Sequence, residues 1–423
     1  MKKNKFSARI ADNGQYFMKY KADPQIRAAI EYSNNLDVDI LEKAIHHTLN
    51  HYTILCCRFE ERFFKTNWIF DDQCTTKILS LIKVSNKENF LKLKNNIILD
   101  PMNPFTGPQI KIVVLRQKNR DSLIIKINHM ITDIGGLKQY ITLLISSYNS
   151  ILEGKKLEKE INTSDRSYNQ ILKNISLKNK INIIKKSFNT SYENTEPFSF
   201  WENLTKKERY AMELTINGKE FHQIKKFARV NNATINDVIT AAFFLAAKKS
   251  SKPINRDLSI YIPIDMRQYL KKKKTPNLCN LTSGTVITIP HESDDLSKVS
   301  KIVSIQMKKN KSLKSVISSI YPITSIASLL PYYLVKKIYT NFLQDDMNLV
   351  TNFGIIDEEN IKTKNATITN AVLYGQVNYE PTFWLSFSTF KENITFSYLI
   401  EGDENMKQKF ELFLDTLKEI LTL

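Results

Sequence analysis

Asp121-Ser-Leu-Ile-Ile-Lys-Ile-Asn128-His129-Met-Ile-Thr-Asp133-Ile-Gly135-Gly136-Leu-Lys-Gln-Tyr140 decides how this chain is read. Residues 123–127 form an apolar run broken only by Lys126, which reads as a strand. The period then changes. Leu137, Tyr140, Ile141, Leu144, Tyr148 and Ile151 recur three or four residues apart, a helical face that Gly154 ends. Between strand and helix stand a histidine, an aspartate four residues on, and two glycines. A strand end holds a side chain rigidly, and a glycine turn lets another backbone or a ligand come close. Polar groups on such turns are where catalytic residues collect.

The spacing suits general base catalysis. Imidazole titrates near neutrality, so His129 can take a proton from a hydroxyl or amine and return it to a leaving group. The Gly135 and Gly136 amides, at a helix N-terminus, can stabilise an oxyanion. Alone, His-x-x-x-Asp is short and common. It reads more simply as a strand-end histidine beside an N-cap aspartate. The surrounding chain changes that.

Asn128-His129-Met-Ile-Thr-Asp133 resembles the His-His-x-x-x-Asp-Gly signature of the thioester-dependent acyltransferase superfamily. That superfamily holds chloramphenicol acetyltransferase, plant BAHD acyltransferases, wax-ester synthases, alcohol acetyltransferases and peptide-synthetase condensation domains. Upstream, Leu99-Asp100-Pro101-Met-Asn-Pro104-Phe105-Thr-Gly107-Pro108 is similar to the family's "Pro-Phe-Asp…Gly-Pro" segment. Downstream, Ala233-Thr234-Ile-Asn236-Asp237-Val238, Pro263-Ile-Asp265-Met-Arg267 and Thr351-Asn352-Phe353-Gly354 resemble family segments in order. Each match is weak, but together they span most of the chain.

The resemblance implies an α/β chain with the two-lobed chloramphenicol acetyltransferase-like fold, two α/β sandwiches with an active-site tunnel between them. It implies His129 as the base, because the second histidine of the signature is the catalytic one. It implies that Asp133 points away from His129 and braces the turn by pairing with Arg267; the competing role for Asp133 is to orient His129 as in a triad. No bound cofactor is implied. Acyl-coenzyme A, or an acyl-phosphopantetheine on a carrier protein, would be the co-substrate, with no covalent acyl-enzyme. Cys279 is therefore not expected to act as a nucleophile. Ser283, Asn352 and Gly354 are oxyanion or tunnel candidates, although Ser-Gly and Asn-x-Gly also describe plain turns. Two positions depart from the signature. Asn128 replaces its first histidine, and Ile134 replaces the glycine after the aspartate, which can narrow the tunnel or shift the turn.

The chain has 423 residues, enough for two domains with separate cores. Hydrophobic residues at 42% exclude a disordered protein. The net charge of +18 attracts polyanions. With no helix-turn-helix, zinc module or aromatic-basic strand, nucleic acid is not the expected partner. The excess reads either as a solvated, compositionally biased surface or as lysines that steer an acidic carrier protein or the phosphates of coenzyme A. Cys56, Cys57, Cys74 and Cys279 lack metal spacing and read as reduced and buried, which points to the cytoplasm. His46, His47 and His51 read as solvated helix residues, and no metal is expected. No secretory signal is read, and residues 315–335, though uncharged, are too polar to span a membrane. They read as a buried helix, a break at Pro322 and a second short helix, or as an amphipathic lip for a long acyl chain or for peripheral membrane contact.

The lobes are read as residues 1–175 and 201–423, joined by a basic linker over 176–200. Residues 15–30 and 53–59 read as strands, 37–49 and 88–96 as helices. In the second lobe, strands are expected over 212–216, 258–264, 285–289, 349–356, 368–374, 383–390 and 393–398. Helices are expected over 218–230, from Thr234 onward, over 299–314 and over 406–421. The acceptor can be an alcohol or an amine. A free-standing enzyme joining carrier-bound substrates through an amide, and a degenerate binding module, are the alternatives.

Overall fold

The computed structural model describes residues 5–71, 74, 78–158, 160–173, 175–187, 207–251, 256–270, 277–342 and 348–422. Part of the expected linker (188–200) and Trp201 lie outside the described residues.

The strand Arg120–Asn128 is central to a five-stranded sheet, antiparallel to Gln25–Tyr32 on one side and Ile110–Gln117 on the other. Leu79–Lys83 extends the sheet in parallel beyond Ile110–Gln117. Because this strand is covered on both faces, its sequence is a continuous apolar run and not an alternating one. Lys126, the one charge in the apolar run 123–127, is fully buried. Its ammonium donates to the carbonyls of Ile97 (2.9 Å) and Asp100, at the C-terminal end of the helix Lys87–Leu99. A cation there completes carbonyls the helix leaves open. Burial still pushes its pKa down to about 8. The helices Val38–His51 and Ile134–Leu152 bury Leu41, Ala44, Ile45, Leu137, Tyr140 and Leu144 together in the first core.

A second sheet runs in the order Thr282–Ile289, Leu258–Asp265, Asn348–Ile356, Trp384–Phe390, Asn393–Gly402, Val377–Asn378, with Glu208–Ile216 also on Asn393–Gly402. Helices Gly218–Val230, Ile235–Ser250, Leu296–Asn310 and Glu404–Thr422 enclose its core. Asn217 and Thr234 start the first two of these with capping boxes closed by Glu220 and Asp237. A small third sheet joins Lys5–Ser7, Thr66–Phe70 and Cys57–Glu61. The chain thus has a mixed α/β fold with two lobes.

The structure corrects several local expectations. Residues 10–17 are helical (Ile10–Phe17), and the first long strand starts only at Gln25. Residues 53–56 form a 3-10 turn before the strand Cys57–Glu61. The basic stretch 299–314 divides into Leu296–Asn310 and Leu313–Leu329, because Ser312 caps a new helix. Pro322 sits inside that second helix without ending it; the chain breaks at Leu330–Pro331, before Tyr332–Phe342. Ile368–Tyr374, read with the second lobe, pairs antiparallel with Gln25–Tyr32 and so extends the first sheet. Cys56 and Cys74 form a disulfide, so the reading of all four cysteines as reduced fails for two of them. The argument for the cytoplasm from reduced cysteines weakens with it. Among the described residues, no helix is long and apolar enough to cross a membrane.

Candidate active site

His129 follows the last residue of the strand Arg120–Asn128, and its amide donates to the carbonyl of Pro24 (2.8 Å). Its backbone is also held from the other lobe. The amide of Asn280 donates to the carbonyls of His129 (2.8 Å) and Met130 (3.1 Å), while its Oδ1 faces His129 Nδ1 at 3.1 Å. A carbonyl oxygen can only accept, so Nδ1 carries the proton. Nε2 is then the basic nitrogen, and the backbone carbonyls of His129 and Thr132 also lie close to the ring. Desolvation holds the imidazole below its ordinary pKa, opposed by its own backbone carbonyl, the Asp133 charge, Asn280 and the Thr132 carbonyl. A neutral imidazole with one basic nitrogen is the form a general base needs.

Asp133 caps the helix Ile134–Leu152. Its carboxylate accepts from the Gly136 amide (3.0 Å), the Leu281 amide (2.7 Å), the Thr282 hydroxyl (2.9 Å) and Arg267 Nη1 (2.8 Å). Burial alone would raise this carboxyl, but the Arg267 guanidinium and the amides keep it below the usual carboxylate range. With these four donors Asp133 serves the turn and not His129 Nδ1, whose partner is Asn280. Arg267 also donates to the Cys279 carbonyl (3.0 Å).

The glycines serve the same clasp. A Cβ on Gly136 would lie 1.8 Å from Thr132 Oγ1, and one on Gly135 would lie 2.7 Å from Arg267 Nη1. Their bareness thus makes room for Thr132 and Arg267. The Gly136 amide is spent on the Asp133 cap, which removes it from the expected oxyanion role. Ser283 is likewise turned elsewhere: its hydroxyl donates to the Val316 carbonyl (2.9 Å) and pairs with Ser319 (2.7 Å). Asn352 is exposed, and its Oδ1 accepts from the Gly354 amide (2.7 Å), the geometry of a local turn. Gly354 has φ +76°, a conformation that favours glycine, and faces Lys138, which donates to the Phe353 carbonyl (2.8 Å).

Both departures from the signature have places in the fold. Asn128 is fully buried; its amide donates to Gln109 Oε1 (2.8 Å) and its Oδ1 accepts from Met130 N (3.0 Å). Gln109 in turn donates to the carbonyls of Cys57 (2.7 Å), Pro104 (3.1 Å) and Gly107 (3.0 Å), tying the Pro-Phe…Gly-Pro segment to the motif strand. Ile134 does not narrow a tunnel, because its side chain packs into the first core.

Two residues that sequence reasoning passed over hold the site together. Asn280 lies inside a segment read only for Ser283. Arg166, near the end of the first lobe as read, is buried and donates to the carbonyls of Leu278 (2.7 Å) and Ile131 (3.1 Å) and to Asp12 (3.0 and 3.1 Å). It therefore fixes the two backbones flanking His129 and Asn280. No motif signals either residue, since each works through backbone carbonyls. The thiol of Cys279 is buried and pushed up to about 11, which makes it a poor nucleophile.

A scan against family models matches residues 24–275 to the condensation domain, and the chain belongs to that family. A search of the curated proteins finds no match. Solved structures share the fold over nearly the whole chain. Polyketide synthase associated protein 5 from Mycobacterium tuberculosis has a TM-score of 0.69 at 12% identity, covering 98% of each chain. The TRI3 trichothecene 15-O-acetyltransferase from Fusarium sporotrichioides has 0.71 at 11% identity, covering 99% of this chain and 95% of that one. The epimerization domain of tyrocidine synthetase B has 0.68 at 13% identity, covering 99% and 97%. The fold thus carries more than one reaction, and function has to be argued from the site.

Proposed function

We propose that this protein is an acyltransferase that moves an acyl group from a thioester to an alcohol or amine. The observation that carries the proposal is His129: a half-buried, neutral imidazole whose Nδ1 is held by Asn280, leaving Nε2 to accept a proton. Nε2 takes the proton of the acceptor's hydroxyl or amine as that atom attacks the thioester carbonyl. The tetrahedral adduct collapses, the C–S bond breaks, and the imidazolium returns its proton to the thiolate. No acyl-enzyme forms. The donor is acyl-coenzyme A or an acyl-phosphopantetheine on a carrier protein, and the positive charge of the chain favours either anionic carrier. The condensation-domain match supports a second reading, amide formation between two carrier-bound substrates.

The test is acceptor-dependent thiol release from a panel of acyl-coenzyme A donors. His129→Ala is expected to lower the rate by roughly 10²–10⁴-fold. Near-full activity in that variant would remove the mechanism. Wild-type turnover with carrier-bound donors only, lost in the same variant, would establish the second reading. No turnover with either donor would point to a binding module.

A further inference from the structure

The small third sheet ends in a hairpin whose tip is Arg62-Phe63-Phe64-Lys65, closed by the Arg62 amide donating to the Lys65 carbonyl (3.1 Å). The two central residues of this tip are phenylalanines, 63% and 70% exposed. Solvated turns ordinarily carry Gly, Asn, Asp or Ser, so a Phe-Phe tip calls for a reason. The tip does not stand alone. Tyr333 stacks on Phe63 with ring centroids 4.3 Å apart, and Phe63 meets Phe64 edge-on at 5.0 Å. The Tyr332 amide donates to the Phe64 carbonyl (3.1 Å), fastening the hairpin to the start of the helix Tyr332–Phe342. One exposed apolar side chain is ordinary, but a cluster drawn from separate segments marks an interaction surface.

Charge indicates what the surface meets. The acidic residues behind the tip are already paired: Glu60 with Lys5 (2.6 Å) and Arg62 (2.8 Å), and Glu61 with Lys336 (2.7 Å) and the hydroxyls of Tyr16 and Tyr332. Lys65 follows Phe64 directly, and Lys337 lies one turn beyond Tyr333 on the same helix; both are exposed. Residues 315–335 carry no charge, with Lys314 and Lys336 at the two ends. The result is a projecting aromatic knob beside cations. A protein partner would need a matching hollow. A bilayer interface accepts a convex aromatic tip without one, while its anionic headgroups attract the lysines.

We propose that the Phe63–Phe64 tip, together with Tyr333, seats this protein on anionic membrane surfaces without spanning them. The test is co-sedimentation of the full chain with vesicles of phosphatidylcholine alone or mixed with phosphatidylserine. Binding is expected only to the mixed vesicles and is expected to fall as salt is raised. Phe63→Ser/Phe64→Ser and, separately, Lys65→Glu/Lys337→Glu should each weaken binding at least about tenfold. Both variants should still unfold in one cooperative thermal transition, because all four side chains are exposed and the hairpin stays fastened by the Arg62–Lys65 and Tyr332–Phe64 backbone bonds. Wild-type protein that ignores the mixed vesicles, or a Phe63→Ser/Phe64→Ser variant that binds them as well as wild type, would overturn the proposal. So would loss of a wild-type dimer in that variant with no vesicle binding, which would assign the patch to a second copy of the chain.

Discussion

At His129 the two ring nitrogens have different surroundings, and that difference predicts pH behaviour. Burial depresses the imidazole pKa, so the basic form persists to lower pH than for a free histidine. The rate under kcat/KM conditions is therefore expected to stay flat through neutrality and to fall only on the acid side of about 6.5. An inflection at or above that value would contradict a desolvated, neutral base. Asn280→Ala removes the acceptor that fixes the tautomer and both donations to the turn carbonyls. It should lower kcat by about 10- to 100-fold with a smaller change in KM. A loss confined to KM would mean that Asn280 holds substrate and not the imidazole.

The decisive element is the turn from the strand Arg120–Asn128 into the helix Ile134–Leu152. Its strand half was legible because burial on both faces leaves a continuous apolar run. Its helix half was legible because the buried residues follow the 3.6-residue period. The use of its glycines was not, because the atoms they make room for, Thr132 Oγ1 and the Arg267 guanidinium, lie across the turn or far along the chain. Gly136→Ala is expected to destabilise the fold by about 1–3 kcal/mol through overpacking against Thr132. Thr132→Ala should recover much of that loss in the double variant, measured by denaturant unfolding. Additive losses would show that the close approach relaxes by another route.

For the whole molecule, the site is a joint between distant parts of the chain. Residues 267 and 278–282 close over the turn at 129–136, and Asp133 collects donors from both. Asp133→Ala leaves the Arg267 guanidinium without its main partner in a largely buried place. The expected cost is about 3–5 kcal/mol, read as a lower denaturation midpoint. Unchanged stability with lost turnover would instead assign Asp133 a catalytic role. The return of Ile368–Tyr374 to the first sheet adds a second tie between the lobes. Asp23 and Arg27 secure it: Arg27 pairs with Asp23 and donates to the Gly375 carbonyl (2.8 Å), and Asp23 accepts from the Val377 amide (2.7 Å).

By itself the sequence determined the alternation of elements around His129 and the α/β class, because periodicity and turn chemistry act over a few residues. Most helices and strands of the second lobe were legible for the same reason. His129 was singled out as a candidate base by its resemblance to the family signature. Only the tertiary structure decided which sheet Ile368–Tyr374 joins, that Cys56 meets Cys74, and that Asn280 and Arg166 hold the histidine in place. It also turned Ser283 and the Gly136 amide away from the oxyanion role. Each of these is a contact between groups distant in the chain, or a choice among hydrogen-bond partners. Local sequence leaves such choices open; burial makes them, because a polar group removed from water must find the nearest partner the fold supplies.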